Sequence, residues 1–247
     1  WDAKRRRLLI GRYRIGVKPL YWRQDGQRLA FATEAKALLA LPGVSATVDR
    51  TALASYLNLG YVSAPRSMFE GISKLPVASL MSIEGGVTST RCYWSLPEKI
   101  ETGVSEGEWI ERIASGINRA VRMQMVSDVP IGAFLSGGID SSAVVACMAE
   151  AASQPVKTYA IGFGGSAADN FYNELPYARR VAELFGTDHH EIVVKPDVVA
   201  LLPRLLWHMD EPIADTAFIT TYLVSEFARQ DVTVILSGVG GDELFGG

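Results

Sequence analysis

Cysteine is scarce in this chain. Its 247 residues contain two, Cys92 and Cys147, neither in a Cys-x-x-Cys pair. A chain of this length with so few is not a disulfide scaffold, which points to a reducing, cytoplasmic setting. Histidine is equally thin. His189 and His190 precede a strand-like run and His208 sits late in a helical one. No further ligands stand at zinc-site spacing, so the three read as structural or surface residues. No apolar run approaches the ~18 residues of a membrane span, and no signal-peptide pattern appears. Charge of one sign is also lacking: the formal net charge of -3 gives no reason to expect a nucleic-acid partner. The one basic run, Lys4–Arg7, is followed at once by Leu8, Leu9 and Ile10 and reads as a solvated turn. There is no internal repeat, no low-complexity tract and no G-x-x-x-x-G-K-[ST] phosphate loop. The chain starts on Trp1 rather than methionine and stops at Gly246-Gly247, directly after a glycine- and acid-rich stretch, so it reads as a piece cut at both ends.

What remains is ordinary globular material, 48% hydrophobic and 21% charged, enough for one large domain or two smaller ones. The first part is β-rich. Leu8–Gly11, Leu20–Trp22 and Leu29–Thr33 are strand-like, with Asp25-Gly26 as a hairpin turn. Short helices are expected over Glu34–Leu41 and Thr51–Leu59, then strands over Ala78–Ile83 and Val87–Tyr93. Trp94–Val104 has no periodicity and places a boundary between domains at 1–98 and 105–247. Ser105 and Glu108 form a capping box ahead of a helix with Ile110, Ile113, Ile117 and Val121 on one face. From Ile131 strands and helices alternate. Strands are expected at Ile131–Leu135, Lys157–Phe163, His190–Val194 and Val232–Leu236. Helices are expected at Ser141–Ala152, Asn173–Phe185, Val198–Met209 and Ala217–Arg229. Repeated βα units imply an α/β fold with a parallel sheet, whose ligands bind at the carboxyl ends of its strands.

The sharpest feature is Leu135-Ser136-Gly137-Gly138-Ile139-Asp140-Ser141-Ser142, set between an apolar strand and an apolar helix. Glycines let the backbone turn tightly and bring amides close to a ligand, and the helix N-terminus adds a dipole that favours an anion. Ser136, Ser141 and Ser142 add hydroxyls. A carboxylate beside a phosphate site is repulsive unless a cation lies between them, so Asp140 reads as a Mg²⁺ ligand. The bland alternative is a tight βα turn whose serines cap a helix. A second glycine- and acid-rich string, Ser237-Gly238-Val239-Gly240-Gly241-Asp242-Glu243, also follows an apolar strand. If the two loops share one sheet edge, Asp242 could share the metal with Asp140.

The first string resembles the pyrophosphate loop of the N-type ATP-pyrophosphatases. Four further segments narrow the resemblance to the glutamine-hydrolysing asparagine synthetase family: Gly16–Tyr21 with Phe31–Leu38, Ser127–Gly132, Asp210-Glu211-Pro212, and the final S-G-x-G-G-D-E string. The resemblance implies an ATP-pyrophosphatase domain preceded by the C-terminal part of an Ntn-type glutaminase α+β domain. It implies that ATP and Mg²⁺ are used to adenylate aspartate or a related carboxylate, which glutamine-derived ammonia then amidates. By that resemblance Leu135 and Ile161 line an adenine pocket, although Ile161 is nearly as well read as a plain buried strand residue. Ser136, Gly137, Gly138, Ser141 and Ser142 hold pyrophosphate, Asp140 and Asp242 bind Mg²⁺, and Ser237 and Gly238 touch the nucleotide or the activated acid. A homodimer is the family-level expectation.

Two departures bear on this. Where classical members carry Glu, the chain has Val239, which can neither accept a proton nor bind a metal, so the identity of the acid stays open. The family's Arg-Asp-Arg appears as Arg12-Tyr13-Arg14. Two rivals remain: a β-lactam synthetase-like adenylating enzyme without glutaminase activity, and a degenerate nucleotide-binding or regulatory protein.

Overall fold

The protein is described here by a computed structural model covering residues 1–26, 28–164 and 173–246. Gly247, the end of the second glycine-rich string, lies outside the described residues. Two units separate by their internal contacts. The first comprises Trp1–Ile100 with Leu202–Asp215; the second comprises Glu101–Leu201 with Thr216–Gly247.

The first unit carries two small antiparallel sheets. β1 (Arg7–Arg12), β5 (Ser79–Glu84) and β6 (Val87–Cys92) form one in the order β1-β5-β6. β2 (Tyr21–Asp25), β3 (Arg28–Ala32) and the two-residue β4 (Ser73–Lys74) form the other in the order β3-β2-β4. The hairpin signal at Asp25-Gly26 is met: Asp25 pairs with Arg28, and Gly26 has φ +56°. Helix α1 (Ala35–Leu39) packs Ala35 and Leu38 against Tyr21 and Ile72. Helix α2 (Arg50–Leu59) starts where the Asp49 carboxylate accepts from the amides of Thr51 and Ala52, and it stops at the left-handed Gly60. The basic run is a turn tied by Asp2 Oδ1, which accepts from Lys4 N and Arg5 N at 3.1 Å each.

Arg12 is built into this unit by its guanidinium, which donates to the carbonyls of Leu75, Gly16 and Lys18. Burial lowers its pKa. Segment 202–215 is held by charge. Lys74 Nζ donates to Glu211 Oε2 at 2.5 Å and to Val62 O at 2.6 Å, while Glu211 Oε1 accepts from Met68 N at 2.6 Å. Asp210, left-handed at φ +62°, accepts from the amides of Ala35 and Lys36 and from Lys36 Nζ.

The second unit is built on a four-stranded parallel sheet of β7 (Ile131–Phe134), β8 (Lys157–Phe163), β9 (Asp188–Val194) and β10 (Val234–Leu236). The order β10-β7-β8-β9 reverses direction between β7 and β10. Its helices are α3 (Glu106–Gln124), α4 (Ile139–Ala151), α5 (Leu175–Phe185), α7 (Ala217–Ala228) and the short α8 (Gly241–Phe245). Helix α6 (Val198–Met209) crosses from the second unit's stretch into the first's. One apolar layer unites Ala133, Leu135, Val145, Met148, Ala178, Ala182 and Leu236. A second sets Val224 and Ala228 of α7 against Tyr159 and Val232.

Several boundaries differ from the sequence expectation. Helix α4 begins at Ile139, two residues early, because Gly138 is extended (φ -70°, ψ 165°) and takes the N-cap itself. The last glycine-rich string, to which the sequence assigned no element, runs into helix α8. Only the C-terminal half of the apolar face of α3 is covered: Val121 is 5% exposed, whereas Ile110 is 60% exposed.

Candidate nucleotide site

In an open parallel sheet the crevice for a ligand lies at the carboxyl edge, where neighbouring strands lead their chains away in opposite directions. Here that place is between β7 and β10. The loop after β7 is Leu135–Gly138, and the loop after β10 is Ser237–Gly240. The two strings singled out in the sequence are thus the two that flank the switch point.

Their fit is steric and close. A Cβ on Gly238 would stand 2.6 Å from Ser141 N and 2.7 Å from Asp140 C, and one on Gly241 would collide with the Asp140 carboxylate. The second loop therefore lies directly on the first turn of α4, with Asp140 turned toward the residue before Asp242. Gly137 has φ +84°, and a side chain there would stand 2.5 Å from the Tyr177 backbone in α5. Glycine is required at Gly137 for both reasons.

Within the first loop, Ser141 Oγ bridges to Ser136 Oγ at 2.9 Å and to Gly138 O at 3.2 Å, and Ser136 N donates to it at 3.3 Å. These bonds fix the loop as a cradle. The N-cap Gly138 contributes no side-chain bond to the first-turn amides of α4. Ser142 Oγ is buried and has no hydrogen-bond partner among the described residues. An orphaned hydroxyl and uncapped amides beside a glycine turn suit an anion with several oxygens.

Beside the cradle is a cavity of about 150 Å³ lined by Leu135, Ser136, Ile161, Thr220, Thr221 and Val224, with Glu174 also on its wall. The structure thus brings Leu135 and Ile161 to one space that adjoins the first loop. Sequence reasoning missed Glu174, Thr220 and Thr221. Two adjacent threonines on the mostly apolar helix AFITTYLVSEFA were the available signal; Glu174 offered none.

The carboxylates fit a shared cation only in part. Asp140 is half-buried against Gly241, and Asp242 is exposed in the first turn of α8. Among the described residues, no group of three or more ligating side chains is assembled. Mg²⁺ commonly binds one or two carboxylates and completes its shell with phosphate oxygens and water. This donor set matches that pattern and not an all-protein cage. Val239 is 89% exposed at the tip of the second loop.

Neither cysteine is placed as a nucleophile. Cys147 lies on α4 with its thiol pKa pushed up by burial and by Glu150, and Cys92 Sγ bonds Trp94 O at 3.0 Å. The His189 ring is held by Thr158 Oγ1 at 2.8 Å and Glu191 Oε1 at 3.2 Å, as a structural residue would be. Asp210-Glu211-Pro212 serves the first unit's packing. No helix among the described residues is long and apolar enough to cross a membrane.

The asparagine synthase family profile matches residues 112–247, and the glutamine amidotransferase domain profile matches residues 1–94. The chain belongs to the asparagine synthase family. It is 37% identical, over its whole length and 48% of the relative's, to a Methanocaldococcus jannaschii protein assigned as asparagine synthetase [glutamine-hydrolyzing] 2. It is 32% identical to asparagine synthetase [glutamine-hydrolyzing] 1 and 34% identical to asparagine synthetase [glutamine-hydrolyzing] 3 of Bacillus subtilis. Each match spans the whole chain, but only 38% and 42% of those proteins. The chain therefore spans less than half the length of these relatives.

Proposed function

We propose that the second unit binds ATP with Mg²⁺ and activates a carboxylate as its adenylate, as part of a glutamine-dependent, asparagine synthetase-like ligase. The observation that carries this reading is the meeting of the two glycine-rich loops over α4 at the sheet's switch point, with Asp140 turned toward Gly241. In this reading residues 105–247 belong to the synthetase domain and residues 1–98 to the later part of the glutaminase domain. The setting is cytoplasmic, in keeping with two free cysteines.

The loop amides, Ser136, Ser141 and Ser142 would hold the β- and γ-phosphates. Leu135 and Ile161 would receive the base. Mg²⁺, held by Asp140 and Asp242, would neutralise charge as pyrophosphate departs. The acid's carboxylate oxygen attacks the α-phosphorus, and the bond to the β-phosphate bridging oxygen breaks. Ammonia then attacks the acyl carbon, giving the amide and AMP. Ser237 and Gly238 would touch the nucleotide or the activated acid. Most of the acceleration would come from positioning and charge neutralisation. Neither cysteine here fits the glutaminase nucleophile, so in this reading that residue belongs to a part of the protein outside these 247 residues.

The exposed apolar Val239 favours a second version, in which the same chemistry acts on an acid other than aspartate. The test is exchange of labelled pyrophosphate into ATP by the full-length protein, with Mg²⁺ and a panel of acids. Exchange that requires aspartate supports the first version, and exchange with another acid alone supports the second. ATP binding with no exchange for any acid would replace both with a nucleotide-binding protein. Asp140→Asn should abolish exchange and leave glutamine hydrolysis intact; exchange near the wild-type rate would remove the metal role.

A further inference from the structure

Glu174 is the one carboxylate among the described residues lining the cavity beside the loops. It caps the N-terminus of α5, and its carbonyl accepts from Tyr177 N and Ala178 N at 3.0 Å each. Those same backbones stand 2.5 Å and 2.7 Å from where a Gly137 side chain would be. Glu174 therefore sits one helical turn from the phosphate cradle. Its side chain is exposed, and it shares the cavity lining with the apolar Leu135, Ile161 and Val224.

A nucleotide with its phosphates on the cradle and its base against that apolar wall has its ribose between them. The ribose carries two hydroxyl donors, and a carboxylate is an acceptor only. Against the phosphates Glu174 would be repulsive, and an exposed carboxylate is a poor match for the apolar wall that would receive the base. We propose that Glu174 reads the ribose, accepting hydrogen bonds from its hydroxyls and selecting ribonucleotides over deoxynucleotides. Partial burial raises its pKa, and no cation or donor among the described residues opposes that rise. Hydroxyl donors would supply what the carboxylate lacks there.

This inference rests on the nucleotide reading above. The test is calorimetric affinity of the full-length protein for Mg²⁺ complexes of ATP, 2′-deoxy-ATP, 3′-deoxy-ATP and purine riboside triphosphate, for wild type, Glu174→Ala and Glu174→Gln. Wild type should bind at least one deoxy analogue about tenfold or more weaker than ATP, the loss expected for a hydrogen bond to a charged group. Glu174→Ala should bind ATP and that analogue alike, with the analogue's affinity unchanged. Glu174→Gln, which keeps one acceptor oxygen and the side chain's shape, should retain part of the preference. Equal weakening of ATP and its deoxy analogues in both variants would overturn the assignment. So would a preference lost only against purine riboside triphosphate, which would put Glu174 on the base. If wild type binds no ATP, the nucleotide reading falls and takes this inference with it; ATP binding with an unchanged ribose preference overturns the inference alone.

Discussion

Single glycines decide whether the two loops can close. At Gly238 the space for a side chain is already filled by the backbone of Asp140 and Ser141, while Gly186, left-handed at φ +61°, has open space around it. Gly238→Ala should cost about 1–3 kcal/mol through forced displacement and weaken ATP binding more than about tenfold. Gly186→Ala should cost about 1 kcal/mol of backbone strain and leave ATP binding unchanged. Urea unfolding and calorimetry on both variants separate the cases. Equal ATP affinities for the two variants would mean that the loops do not meet as described. A different kind of residue holds the first unit. Removing one partner of a buried ion pair leaves the other charge without compensation, typically at about 3–5 kcal/mol. Glu211→Gln, which strips the charge facing Lys74, should therefore lower the unfolding midpoint far more than Arg66→Gln at the more exposed pair with Asp49.

At the scale of elements, much was legible. Strand β8 and helix α6 have the bounds that the apolar pattern gave, because a continuous apolar run and a long helical period are strong signals. Capping at Ser105 was legible too: its hydroxyl accepts from Glu108 N at 3.2 Å. Strand β4 was not, since two residues carry no period and pair only because Tyr21 and Trp22 lie opposite. The start of α4 was misjudged because Gly138 adopts a cap conformation that glycine does not advertise.

Strand β9 carries its own pH dependence. Burial outweighs the pull of Glu191 and holds the His189 pKa below its ordinary 6.5. The unfolded chain therefore takes up a proton before the folded one does, and stability falls as pH drops below about 6.5. Glu191 adds in the same direction at lower pH. Burial pushes its carboxyl up, but Arg179 and His189 together bring it below the usual range, so its contribution is lost as pH falls through that depressed value. Unfolding free energy should be flat from about pH 7.5 to 8.5 and decline toward pH 5. His189→Gln should flatten the upper part of that decline; an unchanged slope would exclude His189 as its source.

For the molecule as a whole, the strand order was the least legible feature of the candidate site. Each glycine-rich string could be read alone, but that β10 returns beside β7 follows from packing across more than a hundred residues and leaves no local trace. The same applies to segment 202–215. Its Asp210-Glu211-Pro212 string reads only as one of the segments that carry the family resemblance, and nothing in it announces that its carboxylates close the first unit. A chain of residues 1–100 should therefore unfold without cooperativity, and adding a peptide of residues 202–215 should restore a sharp transition by circular dichroism. A sharp transition from residues 1–100 alone would show that the clamp is dispensable.

The clamp also sets a timetable. Lys74 and Glu211 are 137 positions apart, and Ala35 and Asp210 are 175 apart. Synthesis runs from the N-terminus at roughly 5–20 residues per second. On a translating ribosome the first unit thus spends roughly seven seconds or more with its central ammonium uncompensated, waiting for a carboxylate not yet made. Slow codons between positions 74 and 211 would lengthen that exposed interval, so translation speed across the second unit's reading frame governs when the first unit is finished.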